Sequence, residues 1–61
     1  MKIKNKDTEE IFSIEDYMRF FTKLCYDSFE TIFTEEECTY ILDGCGNWEY
    51  INTAIWKIIE E

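Results

Sequence analysis

The stretch "EEECTYILDGCGNWEY", residues 35–50, decides whether this chain folds as helices or as a sheet. Thr34 is a good N-cap residue, Glu37 completes a capping box, and acids in the first turn suit the positive end of a helix dipole. The apolar positions that follow share one helical face, namely Cys38, Ile41 and Leu42. Gly44 is a favourable residue just beyond a helix end. These signals predict a short helix from about Glu35 to Asp43.

The same stretch also carries signals for strands. Cys38–Leu42 and Trp48–Asn52 would form a hairpin around the turn Asp-Gly-Cys-Gly-Asn, with Ile55–Ile59 as a third strand. Asp-Gly is a hairpin signal, and Trp, Tyr and Ile favour strands. We prefer the helical interpretation because the caps and the glutamate run agree with the helical spacing. A third helix, capped by Asn47, would collect its apolar residues in an arc of about 100°, namely Trp48, Ile51, Ile55, Ile58 and Ile59.

Upstream of this stretch, the sequence predicts a longer helix from Ile14 to about Glu30. Ser13 is a capping residue, and Asp16 follows it three positions later. The apolar residues fall within an arc of about 140°, namely Ile14, Tyr17, Met18, Phe21, Leu24, Cys25, Phe29 and Ile32. The first 13 residues are compatible with a short hairpin whose turn lies near Asn5–Thr8.

The predicted fold is therefore mainly α, a small three-helix domain over residues 1–61 with a short N-terminal β-hairpin. The alternative is an α+β fold, with one helix packed on a small antiparallel sheet. A chain of 61 residues makes a marginal core, and such chains often need a metal, a disulfide or a partner. Aromatic residues make up 18% of the chain, too many for so small a core. Some of them are expected on the surface or in an interface.

The negative charge is concentrated in the second part of the chain. Residues 1–26 balance five acids with five bases, whereas residues 27–61 carry nine acids and only one base, which accounts for the net charge of −8. Such a surface is unsuited to phosphates or to anionic membranes, which attract Lys and Arg. The charge instead favours a basic protein partner, although acidity also serves solubility alone. No stretch approaches the ~20 apolar residues of a membrane span.

Catalysis and metal binding have little support in the sequence. The chain has no His and only three Cys, at positions 25, 38 and 45, without a Cys-x-x-Cys pair. The usual general base is therefore missing, and the Cys spacing matches no structural zinc motif. Cys25 and Cys38 are expected in the core, and Cys45, between two glycines, is expected to be exposed. We predict no enzyme activity, no cofactor and no metal, and a cytoplasmic protein with reduced thiols.

Acids and aromatic residues alternate between residues 30 and 50. Exposed aromatics rimmed by carboxylates are typical of protein-binding surfaces. The sequence therefore predicts a partner-binding site made of Glu35, Glu36, Glu37, Tyr40, Asp43, Trp48, Glu49 and Tyr50. A redox or metal module that uses Cys45 with Cys38 or Cys25 is a separate hypothesis. An ordinary acidic surface is the remaining interpretation.

In size, acidity, aromatic density, absence of Pro and lack of catalytic residues, the chain resembles the small acidic inhibitors encoded by phages and other mobile elements. Anti-CRISPR proteins are one example of this class. The resemblance implies steric and electrostatic blockade of a basic, nucleic-acid-processing host protein in the host cytoplasm, with no direct binding of nucleic acid. A structural or regulatory homodimer, with the surplus aromatics at the subunit interface, is the alternative function.

Overall fold

The computed structural model describes residues 1–60 and corrects the prediction of a three-helix domain. Strands dominate this part of the chain, and it contains one α-helix. In chain order the elements are β1 (Lys2–Asn5), β2 (Ile11–Ser13), α1 (Ile14–Phe21), β3 (Phe29–Glu35), β4 (Cys38–Asp43), β5 (Trp48–Ile51) and β6 (Trp56–Ile59). The strands form two antiparallel three-stranded sheets, with orders β2-β1-β6 and β3-β4-β5. The alternative of one helix on a single sheet therefore also differs from the structure.

The first sheet joins the two ends of the chain. β1 pairs with β2 in an N-terminal hairpin, and on its other side it pairs with β6, so that Lys2 lies opposite Ile59. The turn between β1 and β2 is built on Asn5, whose Oδ1 accepts the backbone N–H groups of Asp7 at 2.8 Å and Thr8 at 3.0 Å. The sequence correctly places this turn, because a short Asn side chain readily takes over backbone hydrogen bonds.

Helix α1 begins where the sequence predicts but ends about nine residues earlier, at Phe21 rather than near Glu30. Ser13 caps its first turn by accepting the N–H of Asp16 at 3.1 Å. At the other end the Thr22 hydroxyl donates to the Met18 carbonyl at 2.6 Å, and Thr22 itself is extended. A hydroxyl that occupies a helical carbonyl competes with the helical ladder. Carboxylates of the second sheet accept backbone N–H groups that follow. The helix therefore ends here, although the apolar residues continue at helical spacing.

The predicted helices over residues 35–43 and from Asn47 onward are wrong. Residues 35–43 instead lie in the β3–β4 hairpin, as the end of β3, the turn and all of β4, and in this hairpin Phe33 lies opposite Tyr40. A nine-residue helix is marginal by itself, whereas the pairing with β3 and β5 satisfies both edges of β4. The hairpin of β4 and β5 forms around the Asp-Gly-Cys-Gly-Asn turn, with Leu42 opposite Trp48. The last strand, Trp56–Ile59, joins the first sheet beside β1 and does not extend this hairpin.

The core is formed by residues from both sheets, from α1 and from the loop that follows α1. Its buried apolar residues are Ile3, Ile14, Tyr17, Met18, Leu24, Ile41, Ile51 and Trp56. Trp56 makes edge contacts with Tyr17 at 5.0 Å and Phe21 at 4.9 Å between ring centroids, which links β6 to the helix. The second sheet contributes Ile41 and Ile51, both fully buried. One face of that sheet therefore covers the core and the other is left to solvent.

The turn between β3 and β4 consists of Glu36 and Glu37, and both residues have positive φ, 52° and 68°. Such a two-residue turn normally uses Asn-Gly, because a left-handed conformation costs a residue with a Cβ about 1–2 kcal/mol. Because the turn has glutamates in place of Asn-Gly, the sequence indicates the start of a helix rather than a turn. Two adjacent left-handed glutamates therefore place backbone strain at this end of the hairpin.

We expect Glu37→Gly to raise the free energy of unfolding by about 0.5–1 kcal/mol, because Gly adopts positive φ without a Cβ penalty. Urea denaturation measures this change. Gly46→Ala is the converse control, since Gly46 has φ 86° and an added Cβ would meet nothing within 4 Å. It should lower stability by about 1 kcal/mol through backbone conformation alone. A Glu37→Gly protein less stable than the wild type would contradict a left-handed turn.

Candidate protein-binding face

The pleat of β4 and β5 sorts their residues onto two faces of the second sheet. Ile41, Asp43 and Ile51 point to the interior and are buried. Tyr40 directly precedes Ile41 and points the other way, as do Trp48 and Tyr50, which are 60% and 52% exposed. Successive residues of a strand alternate between faces. The solvent face of this sheet is therefore aromatic.

Tyr40 is the centre of this aromatic group. Its ring stacks on Phe33 with centroids 5.3 Å apart and meets Trp48 edge-on at 5.1 Å. Tyr50, its direct neighbour on β5, lies 6.1 Å away in a second edge contact. Offset and edge-to-face pairs of this kind contribute about 0.5–1.5 kcal/mol each beyond area burial. The rings thus support one another on a surface that remains open to solvent.

A shallow cavity of ≈ 350 Å³ opens among these rings. Its walls are Phe33, Tyr40 and Trp48, and its remaining lining comes from Glu35 and Glu36. Partial burial raises the pKa of Tyr40, with further contributions from Cys38 and from the negative charge of Glu35. Aromatic walls and acidic side chains therefore meet in one concave site.

We call this surface the acidic aromatic face and define it as Phe33, Glu35, Glu36, Tyr40, Trp48 and Tyr50. Five of the eight residues predicted from the sequence lie on it. Phe33 was missed, although the hairpin centred on Glu36 and Glu37 places it directly opposite Tyr40. Glu37 is exposed at the turn but does not line the cavity.

Asp43, which the sequence predicts as a contact residue, does not lie on this face. It is 1% exposed and points to the interior. Its Oδ1 accepts the N–H groups of Cys45 at 2.9 Å and Asn47 at 2.8 Å, and its Oδ2 accepts the N–H of Cys25 at 2.9 Å. The hydrogen bond from the Cys25 N–H is the main cause that lowers the pKa of Asp43, and the hydrogen bonds from the turn lower it further. Burial acts in the opposite direction and raises the pKa. Its role is to hold two loops together.

Glu49 is the second predicted contact residue that lies off this face. It lies on the interior side of β5, half-buried, and its Oε2 accepts the Lys23 N–H at 2.6 Å. Glu49 also adds to the elevated pKa of Tyr17, which is raised chiefly by burial. The side chain therefore fixes the loop that follows α1, and its carboxylate does not face a partner on the aromatic side.

The chain matches no protein-family model, no curated protein and no solved structure. Over residues 1–60, no helix has the length and apolarity needed to cross a membrane.

The buried carboxylate of Asp43 predicts a specific acid sensitivity. Because its folded pKa lies below the ordinary value of 3.8, its stabilisation is complete well above pH 3.8. It is lost as the pH falls through 3.8 and then through the lower folded pKa. Asp43→Asn should lower the Tm at pH 7 by ~10 °C, since small domains have small unfolding entropies and their Tm is sensitive to lost bonds.

The stability gap between wild type and Asp43→Asn should close as the pH falls towards 2, measured by urea denaturation with a chelator present. Asp27→Asn, which neutralises an exposed aspartate in the loop after α1, is the matched control. A gap that stays constant across this pH range would show that the Asp43 carboxylate does not stabilise the fold in its charged form.

Proposed function

We propose that this protein binds the basic surface of a partner protein through its acidic aromatic face, and that it thereby excludes nucleic acid from that surface. The observation that carries this proposal is the cavity in which Phe33, Tyr40 and Trp48 meet Glu35 and Glu36. The proposed role is one of binding, and it requires no catalytic step by this chain.

The chemistry of the cavity suits a cationic side chain. The faces of aromatic rings attract Lys and Arg, by about 0.5–1 kcal/mol at exposed sites and about 2 kcal/mol where water is excluded. Carboxylates beside the rings add charge-assisted hydrogen bonds, which Arg makes in pairs. A lysine or arginine of the partner would place its alkyl stem against Trp48 and its charged group near Glu35 and Glu36. The aromatic rings alone, or the carboxylates alone, would bind such a side chain less well than the two together.

A second group of exposed aromatics, near the end of α1, does not offer the same site. Phe20 is 65% exposed and Tyr26 is 43% exposed. The guanidinium of Arg19 already lies over the Tyr26 ring, 4.5 Å from its centroid. A cation of the chain itself thus occupies that ring face. The acidic aromatic face is the better candidate for a cation from another molecule.

A basic partner is favoured over a second copy of the chain. A symmetric contact through this face would bring Glu35 and Glu36 of each copy towards those of the other, in a protein of net charge −8. Like charges brought together in an interface oppose association. The homodimer hypothesis is therefore the weaker proposal for this face.

Nucleic-acid-processing proteins are the partner class that this chemistry fits best. Their binding grooves are lined with Lys and Arg that contact phosphates. Carboxylates held on a rigid hairpin would compete for those cations, and the aromatic rings would add contact area. This agrees with the compositional resemblance to phage-encoded inhibitors, for which a CRISPR effector is one target and the host cytoplasm the compartment.

Neutralising the rim should weaken partner binding. We expect Glu35→Gln with Glu36→Gln to reduce the affinity for a Lys/Arg-rich peptide roughly tenfold at low salt, because charge at an interface controls capture and salt dependence. Fluorescence anisotropy of the labelled peptide measures this. Glu9→Gln with Glu10→Gln is the matched control, since both residues are exposed in the N-terminal hairpin. An equal loss in both variants would indicate attraction by net charge alone and would contradict a specific face.

Trp48→Ala tests the aromatic half of the same site. We expect it to weaken the capture of a basic protein from a bacterial lysate, with elution at high salt, and to leave the fold intact because Trp48 is 60% exposed. The captured protein should then lose nucleic acid in a gel-shift assay when the wild-type protein is added, and retain it when Trp48→Ala is added. Simultaneous binding of nucleic acid and the wild-type protein would exclude occlusion.

A further inference from the structure

Three potential metal ligands converge on the interior side of β4, away from the acidic aromatic face. The Sγ atoms of Cys25 and Cys45 and a carboxylate oxygen of Asp43 all lie within 4.8 Å of one another. Cys25 comes from the loop after α1, and Cys45 comes from the turn between β4 and β5. The cluster joins parts of the chain that are about twenty residues apart, so no local sequence motif marks it.

Backbone contacts hold these two loops together independently of the thiols. Asp43 accepts the N–H of Cys25 through Oδ2 and the N–H of Cys45 through Oδ1, each at 2.9 Å. The Gly44 N–H donates to the Ser28 carbonyl, and a Cβ on Gly44 would come within 2.9 Å of that oxygen. The close approach therefore requires glycine at position 44. The ligand atoms are thus positioned before any ion arrives, which lowers the cost of binding.

Asp43 is a buried carboxylate without an ion pair among residues 1–60. Buried charges in proteins are usually paired or bind metal ions. Its Oδ1 accepts two backbone hydrogen bonds, whereas Oδ2 accepts one, from Cys25, and the Asn47 side chain also hydrogen-bonds the carboxylate. Oδ2 therefore accepts fewer backbone hydrogen bonds than Oδ1 and is the oxygen better placed to bind a cation.

The Asp43 carboxylate places a negative charge beside both thiols. A cation bound between the sulfurs and the carboxylate would compensate this charge. Cys45 is exposed, so an ion and a water ligand have a path from solvent.

We propose that Cys25, Asp43 and Cys45 form a binding site for a thiophilic divalent cation of the Zn²⁺ class. Two thiolates and one carboxylate oxygen would be the protein ligands, and water would be the fourth. Zn²⁺ takes sulfur and oxygen ligands in tetrahedral sites, whereas Ca²⁺ and Mg²⁺ prefer oxygen alone. On binding, each thiol gives its proton to solvent, so one Zn²⁺ enters and two protons leave.

The proposed site does not depend on the acidic aromatic face. An ion bound there would connect the loop after α1 to the β4–β5 turn, in a chain whose short length makes a structural metal useful. The sequence-based prediction of no metal was drawn from Cys spacing and the lack of His. The fold brings Cys45 close to Cys25 rather than to Cys38.

The test is a titration of the full chain, fully reduced with a phosphine, with Co²⁺ as a spectroscopic substitute for Zn²⁺. We expect thiolate-to-cobalt charge-transfer absorption that Zn²⁺ displaces, and release of about two protons per Zn²⁺ near neutral pH. Cys25→Ser and Cys45→Ser should each weaken Co²⁺ binding by about tenfold or more. Cys38→Ser removes a thiol outside the cluster and should leave binding unchanged. Asp43→Asn, checked for folding by circular dichroism, should weaken it as well.

Three results would overturn the proposal. The first is the absence of charge-transfer absorption in the wild type at micromolar protein with excess Co²⁺, and the second is an equal loss of that absorption in Cys38→Ser. The third is a Cys25–Cys45 disulfide that survives the phosphine, detected as a mass two hydrogens below the reduced chain, which would assign the pair to a structural disulfide. A rise in Tm with added Zn²⁺ that Cys45→Ser abolishes would support the site through mass-action stabilisation.

Discussion

The rest of the structure depends on the buried carboxylate of Asp43. It accepts N–H groups from Cys25, Cys45 and Asn47, and so joins the loop after α1 to the turn between β4 and β5. A buried charge is tolerated only where hydrogen bonds replace its hydration. The position of Asp43 also sets the register of β4, since an inward Asp43 requires Tyr40 to point outward. One interaction thus shapes the interior and presents the aromatic face.

The turn of Glu36 and Glu37 places acidic residues where they lower the stability of the hairpin. Both residues take up a conformation that Asn-Gly would adopt at lower cost. Such strain persists where the surrounding structure over-determines it, here through the ladder of β3 and β4 and the Phe33–Tyr40 stack. The result is a carboxylate, Glu36, held at the edge of the aromatic cavity. Strain next to a candidate binding site is consistent with a turn that serves binding more than stability.

Much of the candidate site could be predicted from the sequence, but not its geometry. The density of aromatics and acids around residues 35–50 identified Tyr40, Trp48 and Tyr50 together with Glu35 and Glu36 as surface groups. Closeness in sequence grouped Asp43 and Glu49 with these residues, whereas strand alternation turns both side chains to the opposite face of the sheet. The cysteine cluster was harder still, because cysteines so far apart meet only when two loops are folded against each other.

The sequence by itself determined the local features whose hydrogen bonds close within a few residues. These are the Ser13 cap at the start of α1 and the Asn5 turn of the first hairpin. The acidity of residues 27–61 also follows from composition alone. Only the tertiary structure decided where α1 ends and whether residues 35–59 are helical. The physical reason is that distant carboxylates, Glu49 and Asp43, accept N–H groups that a longer helix would have used. Cross-strand pairing then satisfies the remaining backbone groups, which helical spacing along the chain could not reveal.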